Sequence, residues 1–265
     1  MRRTISGIIY ALSAAIGILA FAYPFFTDIG QHPHLQAYNQ NAPLFTAALV
    51  GLAVLALLVE LQGRRLSAKT VALLGILVAI ASVLRFLETA MPMPGGFSPV
   101  FVPIILAGYV FGGRFGFLMG AFTLLASALI TGGAGPWLPY QMFTAGWAGM
   151  TAGWLGRVGK LKNRHWETAL LCVFGFGWGL LYGMIISIYF WPFAAAPVAQ
   201  SWAPGLTLWA SLRRYAAFYV VTSLAWDLAR ALGNVALVLF LGPATVQALA
   251  RFRKRFYFEV QTSDA

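Results

Sequence analysis

Charge is what this chain has least of. Only 9% of its 265 residues are Asp, Glu, Lys or Arg, and just 7 are acidic. A soluble domain carries about 25% charged residues, so this composition cannot build a solvated surface. Cysteine is almost missing as well. Cys172 stands alone inside an apolar run, which excludes a disulfide framework within one chain and reads as packing. Catalytic signatures are also absent: there is no HExxH, GxSxG, DxxxD or Cys-His arrangement. The Gly112-Gly113-Arg114 turn lacks the G-x-x-x-x-G-K-[ST] spacing of a phosphate loop. Neither ATP binding of that kind nor bond-making chemistry is expected, and no cofactor. Strict alternation of apolar and polar residues is missing too, which argues against an outer-membrane barrel.

What is present is hydrophobic length. Apolar residues make up 60% of the chain, and mean hydropathy is +0.77. Segments near the roughly 20 residues a span needs fall at about 5–26, 43–62, 70–90, 97–111, 115–131, 139–156, 168–191 and 215–242, the fourth being short. The chain therefore reads as an all-α integral membrane protein of about eight spans. Its net charge of +11 is placed accordingly. Arg2, Arg3, Arg64, Arg65, Lys69, Arg114, Arg157, Lys160, Lys162, Arg164, Arg251, Arg253, Lys254 and Arg255 fall at one set of helix ends. They alternate with poorly charged connections at 27–42, 91–96 and 132–138; Arg213 and Arg214 depart from the pattern. This is the positive-inside arrangement, which puts both termini in the cytoplasm. The basic residues report topology and attraction to anionic lipid rather than nucleic acid.

The start of the chain imitates a signal peptide, with Arg2-Arg3 and Ala20-Phe21-Ala22, but the apolar run continues to Phe26 and reads as a retained span. His32-Pro33-His34 has no ligand partners nearby except Asp28, so no metal site is expected. A hinge at Gln62-Gly63-Arg64-Arg65 divides a two-helix membrane extension, 1–66, from a six-span unit, 67–243, followed by a basic tail, 244–265.

The stretch 131–156 organises the larger unit. Gly132-Gly133-Ala134-Gly135-Pro136-Trp137-Leu138-Pro139 forms a stiff loop, since Pro136 and Pro139 fix φ. A helix follows with two stripes: bulky Phe143, Trp147, Met150 and Trp154, and small Ala145, Gly149, Ala152 and Gly156. Small faces let helices approach closely in lipid. Trp137 and Tyr140 above polar Gln141 also suit the lid of a pocket. A second small stripe, Ala68, Ala72, Gly75, Ala79 and Ser82, lies on the third span. The outer end of that span holds Arg85 and Glu88, one turn apart, which suit either a wet local ion pair or a recognition pair facing the bundle. On the last span Tyr219, Ser223, Asp227, Arg230 and Asn234 form a polar stripe. Asp227 and Arg230 fall near the middle of 215–242, where ionisable residues usually face an interior or a cavity. A structural brace and a substrate-facing pair both fit.

These residues carry a resemblance. The small stripe opening the six-span unit, the turn Val110-Phe111-Gly112-Gly113-Arg114-Phe115-Gly116, and Gly135-Pro136-Trp137-Leu138-Pro139-Tyr140-Gln141-Met142 before a glycine-striped helix are similar to the substrate-binding S component of energy-coupling-factor (ECF) vitamin transporters. The likeness covers about 67–242. It implies a six-helix capture module that binds a vitamin at its outer face without ATP. Such a module docks on a membrane coupling protein driven by two ATPases, in a prokaryotic cell membrane. Ala68, Ala72, Gly75 and Ala79 would be the coupling surface. Arg85, Glu88, Trp137, Tyr140, Gln141, Tyr219, Ser223, Asp227, Arg230 and Asn234 are the candidates for substrate contact. Trp191, Trp202 and Trp209 could join Trp137 and Tyr140 in stacking on a planar ligand, a cobalamin-type or other large heteroaromatic vitamin. The metal-transporting members carry an N-terminal His segment that this chain lacks, so no metal is expected. A secondary transporter with Asp227 as proton-coupling acid, and a lipid-handling membrane enzyme, are the readings from other classes.

Overall fold

The computed structural model describes residues 2–22, 48, 51, 68–91, 97–158, 163–194, 196–203 and 205–256. The expected second span at 43–62, the His32–His34 loop and the end of the basic tail lie outside them. Among the described residues there is no strand. The α-helices with described bounds follow in order: α1 (Arg2–Ala22), α2 (Ala68–Ala90), α3 (Phe101–Phe111), α4 (Gly113–Thr131), α5 (Leu138–Val158), α6 (Arg164–Phe190), α7 (Leu208–Thr222) and α8 (Leu224–Phe256). A 3-10 turn, Trp191–Phe193, continues α6.

Among the described residues, α2, α4, α6 and α8 are long and apolar enough to cross a bilayer. α3 has 11 residues, a rise of about 17 Å, roughly half a hydrocarbon core of about 30 Å. It is the short fourth span foreseen above, and its residues from Ile104 to Ala107 are fully buried against its neighbours. Local chemistry sets the helix ends. Gly112, at φ +100°, makes the turn between α3 and α4, a conformation only glycine adopts easily. Gly132 ends α4 in the left-handed region. The Asn163 side chain accepts from the His165 backbone N–H at 2.9 Å and starts α6.

The core is a glycine seam. A Cβ placed on Gly149 would stand 2.1 Å from the Gly116 carbonyl oxygen, and one on Gly153 2.0 Å from the Gly113 nitrogen. The small stripe of α5 thus lies backbone to backbone against α3 and α4, as its sequence implied. Part of the bulky stripe turns toward α1, where a Cβ on Gly17 would overlap the Phe143 ring at 2.8 Å and the Trp147 ring at 3.0 Å. α1 is therefore packed on the bundle.

The last span needs correction. Residues 215–242 were expected as one helix; the chain instead forms α7 and α8 with an interruption at Ser223 (φ −128°, ψ −29°). Ser223 shares a 2.9 Å hydrogen bond with Ser187 on α6, and a 3.1 Å one with Thr222. Backbone bonds from the Ser223 N–H to the Tyr219 carbonyl, 2.9 Å, and from the Asp227 N–H to the Ser223 carbonyl, 3.0 Å, carry the chain across the break. In consequence Asp227 sits in the first turn of α8, not at the middle of a span.

Candidate ligand-binding site

The two ends of the bundle differ in chemistry. At one end Tyr109 donates to Glu167 at 2.8 Å and Arg253 donates to the Val110 carbonyl at 2.6 Å, so the basic ends of α5, α6 and α8 gather there. At the other end two ion pairs converge.

The first pair lies where α6 and α8 cross. Asp227, 2% exposed, accepts from the Tyr219 hydroxyl at 2.9 Å and pairs with Arg230. Arg230 also donates to the Gly179 carbonyl at 3.3 Å. Its guanidinium lies 5.2 Å from the Tyr182 ring centre and 5.8 Å from that of Phe101, a cation–π arrangement on two aromatic rings. One turn on, Asn234 donates to the Gly175 carbonyl at 2.9 Å. Gly175, Gly179 and Gly183 line α6 at intervals of four and admit this polar face. A Cβ on Gly179 would meet the Ala231 Cα at 2.4 Å. The expected stripe of Tyr219, Ser223, Asp227, Arg230 and Asn234 is thus divided between α7, the break at Ser223 and α8 rather than lying along one helix.

The second pair is Arg85 with Glu88, at 3.4 Å, with side chains 25% and 20% exposed. Glu88 accepts a further 2.8 Å hydrogen bond from Ser98, just before α3. Of the two readings open at the level of sequence, a pair turned toward the bundle is the one this burial favours. Tyr182, under the Arg230 guanidinium, is also within electrostatic reach of Arg85 and Glu88. Its hydroxyl is buried without a hydrogen-bond partner, as are Arg230 Nε and Asn234 Oδ1. Buried polar atoms are nearly always paired, so unpaired ones on Tyr182, Arg230 and Asn234 single out this cluster as the candidate site.

The aromatic candidates separate. Tyr140 is 1% exposed; it stacks on Tyr189 with centroids 4.2 Å apart and meets the edge of Phe21 at 4.9 Å. Trp191 is buried and donates to the Gln200 carbonyl at 2.7 Å, tying down the outer loop. Both are framework. Trp137 is 42% exposed and folds back on its own loop, donating to the Gly133 carbonyl at 3.1 Å. Gln141 and Trp202 are half-buried, and Trp209 is exposed. Sequence reading missed Tyr182, Ser98 and Phe101. The Gly175–Gly179–Gly183 spacing was the signal that would have pointed to Tyr182, which adjoins it.

On α2, Ala72, Gly75 and Ala79 are exposed, and a Cβ on Gly75 would meet nothing within 4 Å. The side chain of Ala68 lies outside the described residues. Ser82 departs from the stripe: it is fully buried and donates to the Thr123 carbonyl on α4 at 3.4 Å.

Comparison with curated proteins and with solved structures returned no match. Comparison with family models did: the model for the ECF transporter substrate-specific component matches residues 69–242. That range runs from the start of α2 into α8 and holds both ion pairs, the glycine seam and the exposed stripe. It also accounts for the resemblance seen in the sequence. The chain belongs to the ECF transporter substrate-specific components, multi-pass prokaryotic membrane proteins that serve a coupling protein and its ATPases as transport subunits.

Proposed function

We propose that this subunit captures a vitamin-type small molecule at the end of the bundle that holds the two ion pairs. The observation that carries this reading is the set of unpaired buried atoms, Tyr182 Oη, Arg230 Nε and Asn234 Oδ1, inside the family's own segment. Arg230, Glu88 and Tyr182 would meet polar groups of the ligand, with Trp137 from the loop before α5 and Gln141 from the first turn of α5 above it. Large heteroaromatic vitamins, cobalamin-type foremost, are the favoured class. Because Tyr140 and Trp191 are framework, stacking on such a ligand falls to Trp137, Trp202 and Trp209. The opposite, basic end faces the cytoplasm in this reading, with both termini on that side. Ala72, Gly75 and Ala79 receive the coupling protein, whose ATPases supply the energy; the chain itself binds no ATP. A proton-coupling Asp227 has less support, because its carboxylate is buried and engaged by Tyr219 and Arg230.

The test is purification of the full chain without partners, mass spectrometry of any co-purified small molecule, and calorimetry against a vitamin panel. One vitamin bound without ATP is the expected result. A folded protein that binds none of them would overturn the reading.

A further inference from the structure

A cavity of about 460 Å³ opens at the basic end. Its wall is made by Tyr109, Val110, Gly112, Gly156, Arg157 and Arg253, so three separate regions, the α3–α4 turn and the ends of α5 and α8, converge on it. Neither ion pair reaches it.

Its chemistry is cationic. Arg157, in the last turn of α5, makes no ion pair or hydrogen bond among the described residues. Arg253 is held in place by its bond to the Val110 carbonyl, which answers a carbonyl at the C-terminal end of α3 and leaves its other guanidinium nitrogens available. Gly112 begins α4 with no side-chain cap, so the positive end of a 19-residue helix borders the same space. A Cβ on Gly112 would meet nothing within 4 Å, so this face of the turn is open to the cavity, while Gly113 packs on Gly153 behind it. Two guanidinium groups beside an uncapped helix start make a site for a tetrahedral oxyanion. At the end of a membrane helix bundle the nearest such groups are the phosphates of lipid headgroups.

We propose that this cavity binds the phosphate of an anionic molecule, a glycerophospholipid headgroup of the surrounding leaflet in the first instance, through Arg157 and Arg253. Binding there ties the α3–α4 turn to the ends of α5 and α8, so an occupied site stabilises the fold.

The experiment uses the full chain in neutral detergent. Thermal unfolding is followed with added phosphatidylglycerol, with phosphatidylcholine, and with inorganic phosphate at matched concentration. Lipid retention is read by native mass spectrometry. Phosphatidylglycerol should raise the melting temperature and phosphatidylcholine should not. A matching rise with inorganic phosphate assigns the site to a soluble phosphate; no rise assigns it to lipid. Arg157→Gln should weaken phosphatidylglycerol binding about tenfold, the loss of one charge-assisted contact. Arg253→Lys, which keeps the charge should Arg253→Gln fail to fold, should weaken it less. The charge-matched control is Arg251→Gln, which lies outside the cavity. Equal losses in Arg157→Gln and Arg251→Gln would reduce the effect to general surface charge and overturn the site. So would a wild-type protein indifferent to all three additives.

Discussion

Gly183 stands where a Cβ would fall 1.9 Å from one carboxylate oxygen of Asp227 and 2.0 Å from the other. The carboxylate occupies the space of the missing side chain. Gly183→Ala should therefore displace Asp227 from Tyr219 and Arg230 and cost about 1–3 kcal/mol, the range for overpacking. Gly177→Ala, on the same helix with nothing within 4 Å of its Cβ, should be neutral or slightly stabilising. Thermal unfolding of the two purified variants decides it: equal melting temperatures would contradict the geometry.

Arg230 serves two roles, countercharge to Asp227 and proposed ligand contact. Arg230→Met leaves a carboxylate buried at 2% exposure and should destabilise by about 3–5 kcal/mol. The double change Asp227→Asn with Arg230→Met should recover most of that stability while ligand binding stays lost. A folded double variant that binds as wild type would make the pair a brace and nothing more.

Tyr182→Phe isolates the ligand's share. The hydroxyl is buried with no partner, and leaving such a group unsatisfied costs about 1–3 kcal/mol. Removing it should leave the ligand-free protein equally stable or more so. Calorimetry should show weaker ligand binding, by about tenfold for one lost hydrogen bond. A variant that melts lower and binds normally would place the hydroxyl in the framework.

Ala72→Trp and Ala79→Trp address docking. Both positions are exposed, so a bulky side chain there should leave melting temperature and ligand affinity unchanged in the isolated subunit. Uptake in cells that carry the coupling module should fall sharply. Lost binding in the isolated variant, or uptake at the wild-type rate, would each refute the coupling role.

The membrane class, the short fourth span and the small face of α5 were legible because each depends on composition or local spacing. The family was legible from about 67 onward for the same reason. The break at Ser223 was not, because the residues around it keep a helical pattern and its hydroxyl's partner, Ser187, lies 36 positions away. Burial misled the aromatic reading in a similar way. Tyr140 looks like a pocket residue beside Trp137, yet Phe21 and Tyr189 enclose it from elements far away in sequence. The convergence of Glu88, Ser98, Tyr182 and Arg230 required four segments to be placed in space before any of them stood out.

Two kinds of small residue run through this molecule, and a substitution scan would tell them apart without any ligand or partner. Gly149 and Gly116 face one another across a distance that leaves no room for a methyl group. Such a seam has no rotamers with which to adapt, so every larger residue is a wedge. Gly75 looks outward on empty space and tolerates almost anything as far as folding is concerned. The α4–α5 seam is thus closed to variation by the subunit's own architecture, whereas any restriction found on the α2 stripe has to come from something beyond the described residues.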